Sequence, residues 1–162
     1  MIKYILCLLL INACGFYSFN GSSISPSIKT VSINYFSNNA NTIRSSLSPM
    51  FTEELKNIFV NQTNLDLIET NGDLSFSGKI TSYTITPISI QSDQTAQQNR
   101  LTIKVNVQFE NKEDKNMNFN TNFSRHKDFD SNADLSLIED DLMQVICEEL
   151  AEDIFNKSVV NW

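Results

Sequence analysis

The chain is poor in the residues that most often carry chemistry or staple a small domain, with three cysteines, four glycines, three prolines and one histidine in 162 residues. A single imidazole, His126, gives no His-His metal spacing and no base paired with a nucleophile motif. The glycines stand at 15, 21, 72 and 78, too scattered to build a phosphate-cradling loop. Basic side chains are scarce as well. Twelve Lys and Arg face 19 Asp and Glu, a formal charge of −7, which disfavours nucleic acid as a partner. The longest apolar run, Tyr4 to Ile11, has eight residues, whereas a helix that crosses a bilayer needs about 20. The carboxylate pairs Asp140-Asp141 and Glu148-Glu149 fall in a helical pattern, where a solvated face explains them better than acid–base catalysis. No enzyme is expected.

The short apolar run is informative for what surrounds it. Met1-Ile2-Lys3 supplies a basic start, and the run ends in Ile11-Asn12-Ala13-Cys14. In that order and at that distance from Met1, these features predict a cleaved signal peptide over residues 1–13 of a bacterial lipoprotein. Cys14 is then the first mature residue and carries diacylglycerol and an N-acyl chain, palmitate among them. Several acyl chains, at about 0.8 kcal/mol per buried methylene, hold a domain at a membrane almost irreversibly. Cleavage removes Lys3, so 11 basic and 19 acidic side chains remain, a charge of −8. Cys7 leaves with the signal and Cys14 is acylated, so Cys147 has no disulfide partner and packing must hold the fold.

Residues 14–28, rich in Ser and Gly around Phe16, Tyr17 and Phe19, read as a lipidated tether ahead of one domain over residues 29–162. Val31, Ile33 and Tyr35 alternate with polar residues, the period of a half-buried strand. Ser48-Pro49 opens a helix with Leu47, Phe51, Leu55, Ile58 and Phe59 on one face, ending near residues 61–64. A strand over Leu65 to Glu69 leads to Asn71-Gly72, a hairpin turn signal. Leu74, Phe76 and Ile80 share one parity and Tyr83 and Ile85 the other, which predicts a bulge near Thr81-Ser82. Leu101, Ile103, Val105, Val107 and Phe109 alternate without fault, and burying them is worth roughly 8 to 15 kcal/mol before entropy. A last strand runs from Met117 to Phe123. Ser136 and Glu139 form a capping box for a long helix with Ile138, Leu142, Val145, Ile146, Leu150 and Ile154 inward. The fold expected is an α+β two-layer sandwich, a mixed four- to five-stranded sheet with two helices packed on one face, with residues 30–69 as a parallel β-α-β unit.

Two helices leave one sheet face bare. By parity it carries Ser75, Ser77, Lys79, Thr102, Lys104, Asn106, Gln108, Asn118, Asn120 and Asn122. Such a face is either plainly solvated or a docking surface for a wet polar wall, such as the inside of a β-barrel. Asp128, Asp130, Asn132 and Glu139 are spaced like oxygen ligands 1, 3, 5 and 12 of a calcium loop, although Ala133 replaces the turn glycine; a polar loop before a capped helix explains the same residues. Arg125-His126-Lys127 with Arg100 is the basic concentration, at the ends of adjacent strands, read either as exposed strand-end charges or as a contact for an anionic glycolipid headgroup.

Several stretches together resemble the LptE-type lipopolysaccharide-assembly lipoproteins, in the form found in Bacteroidetes. They are Cys14-Gly15-Phe16-Tyr17-Ser18-Phe19; Asn71-Gly72-Asp73-Leu74 with Phe76, Gly78 and Ile80; Gln98-Asn99-Arg100-Leu101-Thr102-Ile103; and Asp153-Ile154-Phe155-Asn156-Lys157 running to Val160-Asn161-Trp162. The resemblance implies a non-catalytic lipoprotein of the Gram-negative outer membrane, facing the periplasm. It would sit 1:1 in a large LptD-like β-barrel translocon, help it fold, and contact lipopolysaccharide through Arg100, Lys104, Arg125 and Lys127. The competing reading is a periplasmic carrier that holds lipid between helices and sheet.

Overall fold

The computed structural model describes residues 24–88 and 97–160. The signal segment, Cys14, the aromatic cluster at 16–19 and Trp162 lie outside the described residues. The elements are β1 (Thr30–Ile33), β2 (Ser37–Asn38), α1 (Leu47–Gln62), β3 (Asp66–Ile68), β4 (Leu74–Ile88), β5 (Gln98–Asn111), a 3-10 turn (Lys115–Met117), β6 (Phe119–Asp130) and α2 (Leu135–Val159). They form a mixed six-stranded sheet in the order β3-β1-β4-β5-β6, with β2 pairing farther along β4. β1 runs parallel to both β3 and β4, and β4, β5 and β6 form an antiparallel meander. This is the α+β sandwich expected, with the parallel β-α-β unit in place and one two-residue strand more than foreseen.

The hydrophobic pattern explains the layers. All five apolar residues of β5, from Leu101 to Phe109, are completely buried, and their polar alternates face the other way. The β4–β5 register slips between Ile80 and Ser82, which carries Tyr83 onto the covered side with Ile80. On α1, Leu47, Phe51, Leu55 and Phe59 recur every fourth residue and are fully buried. On α2 the buried stripe is Met143, Ile146, Cys147, Leu150, Ile154 and Phe155, one step round from the expected one, so Val145 faces out. Aromatic rings knit the layers together. Phe155 meets Phe59, Phe59 meets Phe76, Phe76 meets Phe109 and Phe109 meets Phe119, with centroids 4.8 to 5.1 Å apart.

Several local expectations are corrected. Tyr35 is exposed and Phe36 is buried instead, because the chain leaves β1 at Ile33 and rejoins the sheet only at Ser37. Phe36 lies over Gly78, whose missing side chain makes the room; a Cβ there would stand 2.7 Å from the Phe36 ring. α1 begins one residue before Ser48, which is buried in the first turn and is not the cap. α2 is capped by Asp134, whose carboxylate accepts from the Ser136 amide at 3.0 Å, so Ser136 lies inside the helix and the capping box does not form. Met117 belongs to the 3-10 turn, whereas β6 runs seven residues past Phe123.

Asn71-Gly72 does not make the expected hairpin turn, although Asn71 takes a left-handed φ of 60°. β3 and β4 do not pair; β1 lies between them, so residues 69–73 cross over β1 to reach β4. The crossing is close. Gly72 donates its amide to Ser32 Oγ at 3.1 Å, and a Cβ at Gly72 would lie 2.5 Å from the Ser32 nitrogen. Asp73 fixes the far side, accepting from the Lys29 and Thr30 amides and the Thr30 hydroxyl at 2.9 to 3.0 Å. These bonds hold its carboxyl below the usual carboxylate range.

Candidate functional site

The helices cover one face of the sheet, and the other face carries the polar alternates of β4, β5 and β6. Pairing sets Lys79 beside Asn106 and Asn122, Ser77 beside Gln108 and Asn120, and Thr84 beside Thr102 and His126. Lys104, Gln108, Asn120 and Asn122 are exposed, and Thr102 and Asn106 are half-buried. Asn106 organises the centre: its amide nitrogen donates to both Asn120 Oδ1 and Asn122 Oδ1 at 2.9 Å. Three amides are thereby held in one arrangement with their remaining donors and acceptors facing out. Asn118 sits just before β6 and does a local job, its Oδ1 accepting from the Asn111 amide at 2.7 Å.

Charge is distributed unevenly between the two layers. The uncovered face balances Lys79, Arg100 and Lys104 against Glu110, Asp128 and Asp130. The helices carry nine carboxylates against Lys56 and Lys157, so much of the net negative charge lies on the opposite side. A neutral face of amides and hydroxyls meets a polar protein wall without stripping water from a full charge.

The four basic residues proposed to contact a glycolipid are not brought together, nor are they strand-end charges. Strand parity separates them. Arg100 and Lys104 lie on the uncovered face, whereas Arg125 and Lys127 lie within β6 on the helix side. Arg125 makes a bidentate pair with Asp153 at 2.6 Å and Lys127 pairs with Glu149 at 2.6 Å, both on α2. Arg100 makes a bidentate pair with Asp128. Lys79 and Lys104 form no ion pair among the described residues. The alternation Phe123, Arg125, Lys127, Phe129 in the sequence carries the signal that the two central bases share the apolar face.

The residues spaced like a calcium loop are likewise engaged separately. Asp128 and Asp130 are still in β6; Asp128 gives both oxygens to Arg100, and Asp130 accepts from the backbone and side chain of Asn132. Glu139 points into α2's own interface, accepting from Arg44 Nε at 2.7 Å and from the Tyr83 hydroxyl. No group of three or more His, Cys, Asp or Glu able to hold a metal occurs among the described residues.

The Arg44–Glu139–Tyr83 cluster was not foreseen. It ties the loop before α1, the start of α2 and β4 beyond its bulge, with the Arg44 guanidinium over the Tyr83 ring at 5.6 Å. Burial raises the Tyr83 hydroxyl above its ordinary value, and the neighbouring Glu139 carboxylate adds to the rise. Burial alone would raise Glu139 too, but the hydrogen bonds from Tyr83 and Arg44 outweigh it and hold that carboxyl low. Cys147 lies under α2, and burial, with Glu54 and Glu148 nearby, pushes its thiol up to about 12. It is an inert packing residue.

The described residues thus form a filled α+β sandwich with one uncovered, polar sheet face. Solved structures share this fold. A minor lipoprotein from Acinetobacter baumannii superposes with a TM-score of 0.50 at 15% identity, covering 80% of this chain and 91% of the other. A putative neuraminyllactose-binding hemagglutinin homolog from Helicobacter pylori gives 0.53 at 12% identity, covering 87% and 88%. The PelC dodecamer from Paraburkholderia phytofirmans gives 0.50 at 8%, covering 85% and 94%. No curated protein matches the chain in sequence. The family model of LptE, described as lipopolysaccharide-assembly, matches residues 28–158, and the chain belongs to that family.

Proposed function

We propose that this chain is a non-catalytic outer-membrane lipoprotein, held by acyl chains on Cys14 and facing the periplasm. It docks the uncovered face of β4, β5 and β6 against the inner wall of a large β-barrel translocon, one copy per barrel, and helps that barrel assemble. Lipopolysaccharide then passes through the barrel to the outer leaflet. The observation that carries the reading is the amide cluster of Asn106, Asn120 and Asn122 on a neutral, uncovered sheet, in a chain of the lipopolysaccharide-assembly family. No helix among the described residues is long and apolar enough to cross a membrane, and a lipid on Cys14 supplies the attachment instead.

The carrier reading is disfavoured by packing. The space between helices and sheet, where a carried lipid would lie, is filled by Phe36, Phe51, Phe59, Phe76 and Phe109, all completely buried. Photo-reactive residues at Asn106 and Asn120 test the proposal in outer membranes. A 1:1 adduct with a large barrel is expected from both, and none from a control at Val60 on the exposed side of α1. Barrel adducts from Val60 alone would overturn the choice of face, and normal surface lipopolysaccharide and barrel folding after depletion would overturn the function.

A further inference from the structure

Among the described residues the sheet ends in β3 on one side and β6 on the other, and the two edges are defended unequally. β3 is three residues long, and the part of β4 that runs on past β2 carries Pro87, which has no amide to offer. β6 has twelve residues and pairs only with β5. Its register against β5 continues from Phe119 to Asp130 without a bulge, and it contains neither proline nor glycine. Its cations do not guard the edge, because Arg125 and Lys127 are drawn onto α2 by Asp153 and Glu149. About half the backbone amides and carbonyls of such a strand point away from the sheet, a ready template for another strand.

The first half of β6 also selects its partner. Phe119-Asn120-Thr121-Asn122-Phe123 reads identically in both directions, and residues 118–124 carry no charge. Antiparallel pairing about Thr121 then sets like against like: Phe119 against Phe123 of a second copy, Asn120 against Asn122, and Thr121 against itself. Phe119, Thr121 and Phe123 share the helix side of β6, all half-buried, with the two rings 6.2 Å apart. Pairing covers the exposed parts of four rings around two threonine hydroxyls, and aromatic and Thr–Thr pairs are favourable cross-strand neighbours. On the other face, Asn120 and Asn122 each use Oδ1 to accept from Asn106. Their own NH2 groups have no partner among the described residues, which leaves them able to donate to an amide across the seam. We infer that a second copy of this chain pairs antiparallel along residues 118–124 of β6, with a two-fold axis at Thr121 that joins two sheets edge to edge. Seven residues at about 3.4 Å each make a seam of about 24 Å, short for a permanent complex, so the pair forms and parts with protein concentration. The inference goes beyond the docking proposed above and does not need it: there a barrel takes one copy, and the pair is the form of the protein without a barrel.

Sedimentation of the purified full-length protein in detergent, with no barrel present, tests the pairing. A monomer–dimer equilibrium is expected. Thr121→Glu and Thr121→Lys each place like charges on the axis, and each is expected to weaken association at least tenfold while the circular dichroism is unchanged. An equal mixture of the two variants should associate again as a mixed pair, which a merely misfolded strand would not do. Oxidation reads the register: Thr121→Cys should form a disulfide-linked dimer with itself, and Asn120→Cys should link to Asn122→Cys faster than either links to itself. Cys147 is buried and stays out of the reaction. A monomer at every concentration would overturn the inference, as would folded Glu and Lys variants that stay apart when mixed or that associate alone as well as the parent. A photo-reactive residue at position 121 that captures a different chain in outer membranes, and never a second copy, would assign the edge to that chain and overturn it equally. None of these failures touches the docking of the sheet face, which is read from barrel adducts at Asn106.

Discussion

Replacing Gly78 by alanine puts a methyl group against the backbone of β5. Gly78 has φ +157°, and a Cβ there would stand 2.0 Å from the Asn106 carbonyl oxygen and 2.7 Å from the Phe36 ring. The first neighbour is backbone of the central strand and the second a fully buried ring, so neither yields without disturbing the sheet or the core. A side chain in this backbone region costs about 1 to 3 kcal/mol, and overpacking a filled core costs about 1 to 3 kcal/mol more. The sum, about 2 to 6 kcal/mol, is a large part of the 5 to 15 kcal/mol typical of a domain's stability. Urea unfolding followed by circular dichroism should show a midpoint lowered by that free energy divided by an unchanged slope, and a melting temperature roughly 5 to 20 °C lower. Since Asn106 belongs to the displaced segment, the amide cluster should lose order in the same variant, visible as a change in its side-chain amide resonances. A loss below about 1 kcal/mol would refute the reasoning, because it would mean that β4 and β5 separate there at little cost.

Acid should weaken the tie between α2 and β4. The folded Glu139 carboxyl lies below its ordinary value of 4.5, so its contribution is present above that value and lost as pH falls through the lower, folded one. Glu139→Gln should therefore be less stable than the parent at pH 7 and converge with it toward pH 2, as unfolding at several pH values would show. Asn106→Asp replaces the shared donor with an acceptor facing two carbonyl oxygens. Recovery of the barrel with the lipoprotein should fall sharply, whereas the domain itself should change in urea stability by only about 1 kcal/mol. Cys147 should react with a thiol reagent only as fast as the chain opens, since its thiol is buried and pushed up to about 12. Labelling in native buffer that matches the rate in denaturant would contradict its placement.

Much of the architecture was legible because two periods dominate the sequence. The faultless alternation from Leu101 to Phe109 marked the central strand, and the parity change between Ile80 and Tyr83 located the bulge. The polar face followed from the same alternation. Less legible were features set by partners distant in the chain. Asn71-Gly72 has hairpin chemistry, yet β1 takes the place beside β4, a choice made by Ser32, Asp73 and Thr30 across about forty residues of sequence. Arg44, Glu139 and Tyr83 meet from three elements, with separations of 95 and 56 residues that no local pattern encodes. Asp134 displaced Ser136 as cap because each offers an oxygen to a helix start and only the path out of β6 decides between them. The separation of Arg125 and Lys127 from Arg100 was legible in parity, since both share it with Phe123 and Phe129.

The crossing of residues 69–73 over β1 also shapes the footprint offered to a partner. It covers Ser32 on that face and leaves the polar alternates of β4, β5 and β6 uncovered. Fourteen residues of β5 at about 3.4 Å each, across three strands about 4.8 Å apart, give a strip of roughly 650 Å². That is slightly under the 800 Å² or so that each side contributes to a stable complex. Under the docking proposed above, a wall seated on this strip would meet the 69–73 segment on the β1 flank and the free edge of β6 on the other, which would limit it to one lateral position.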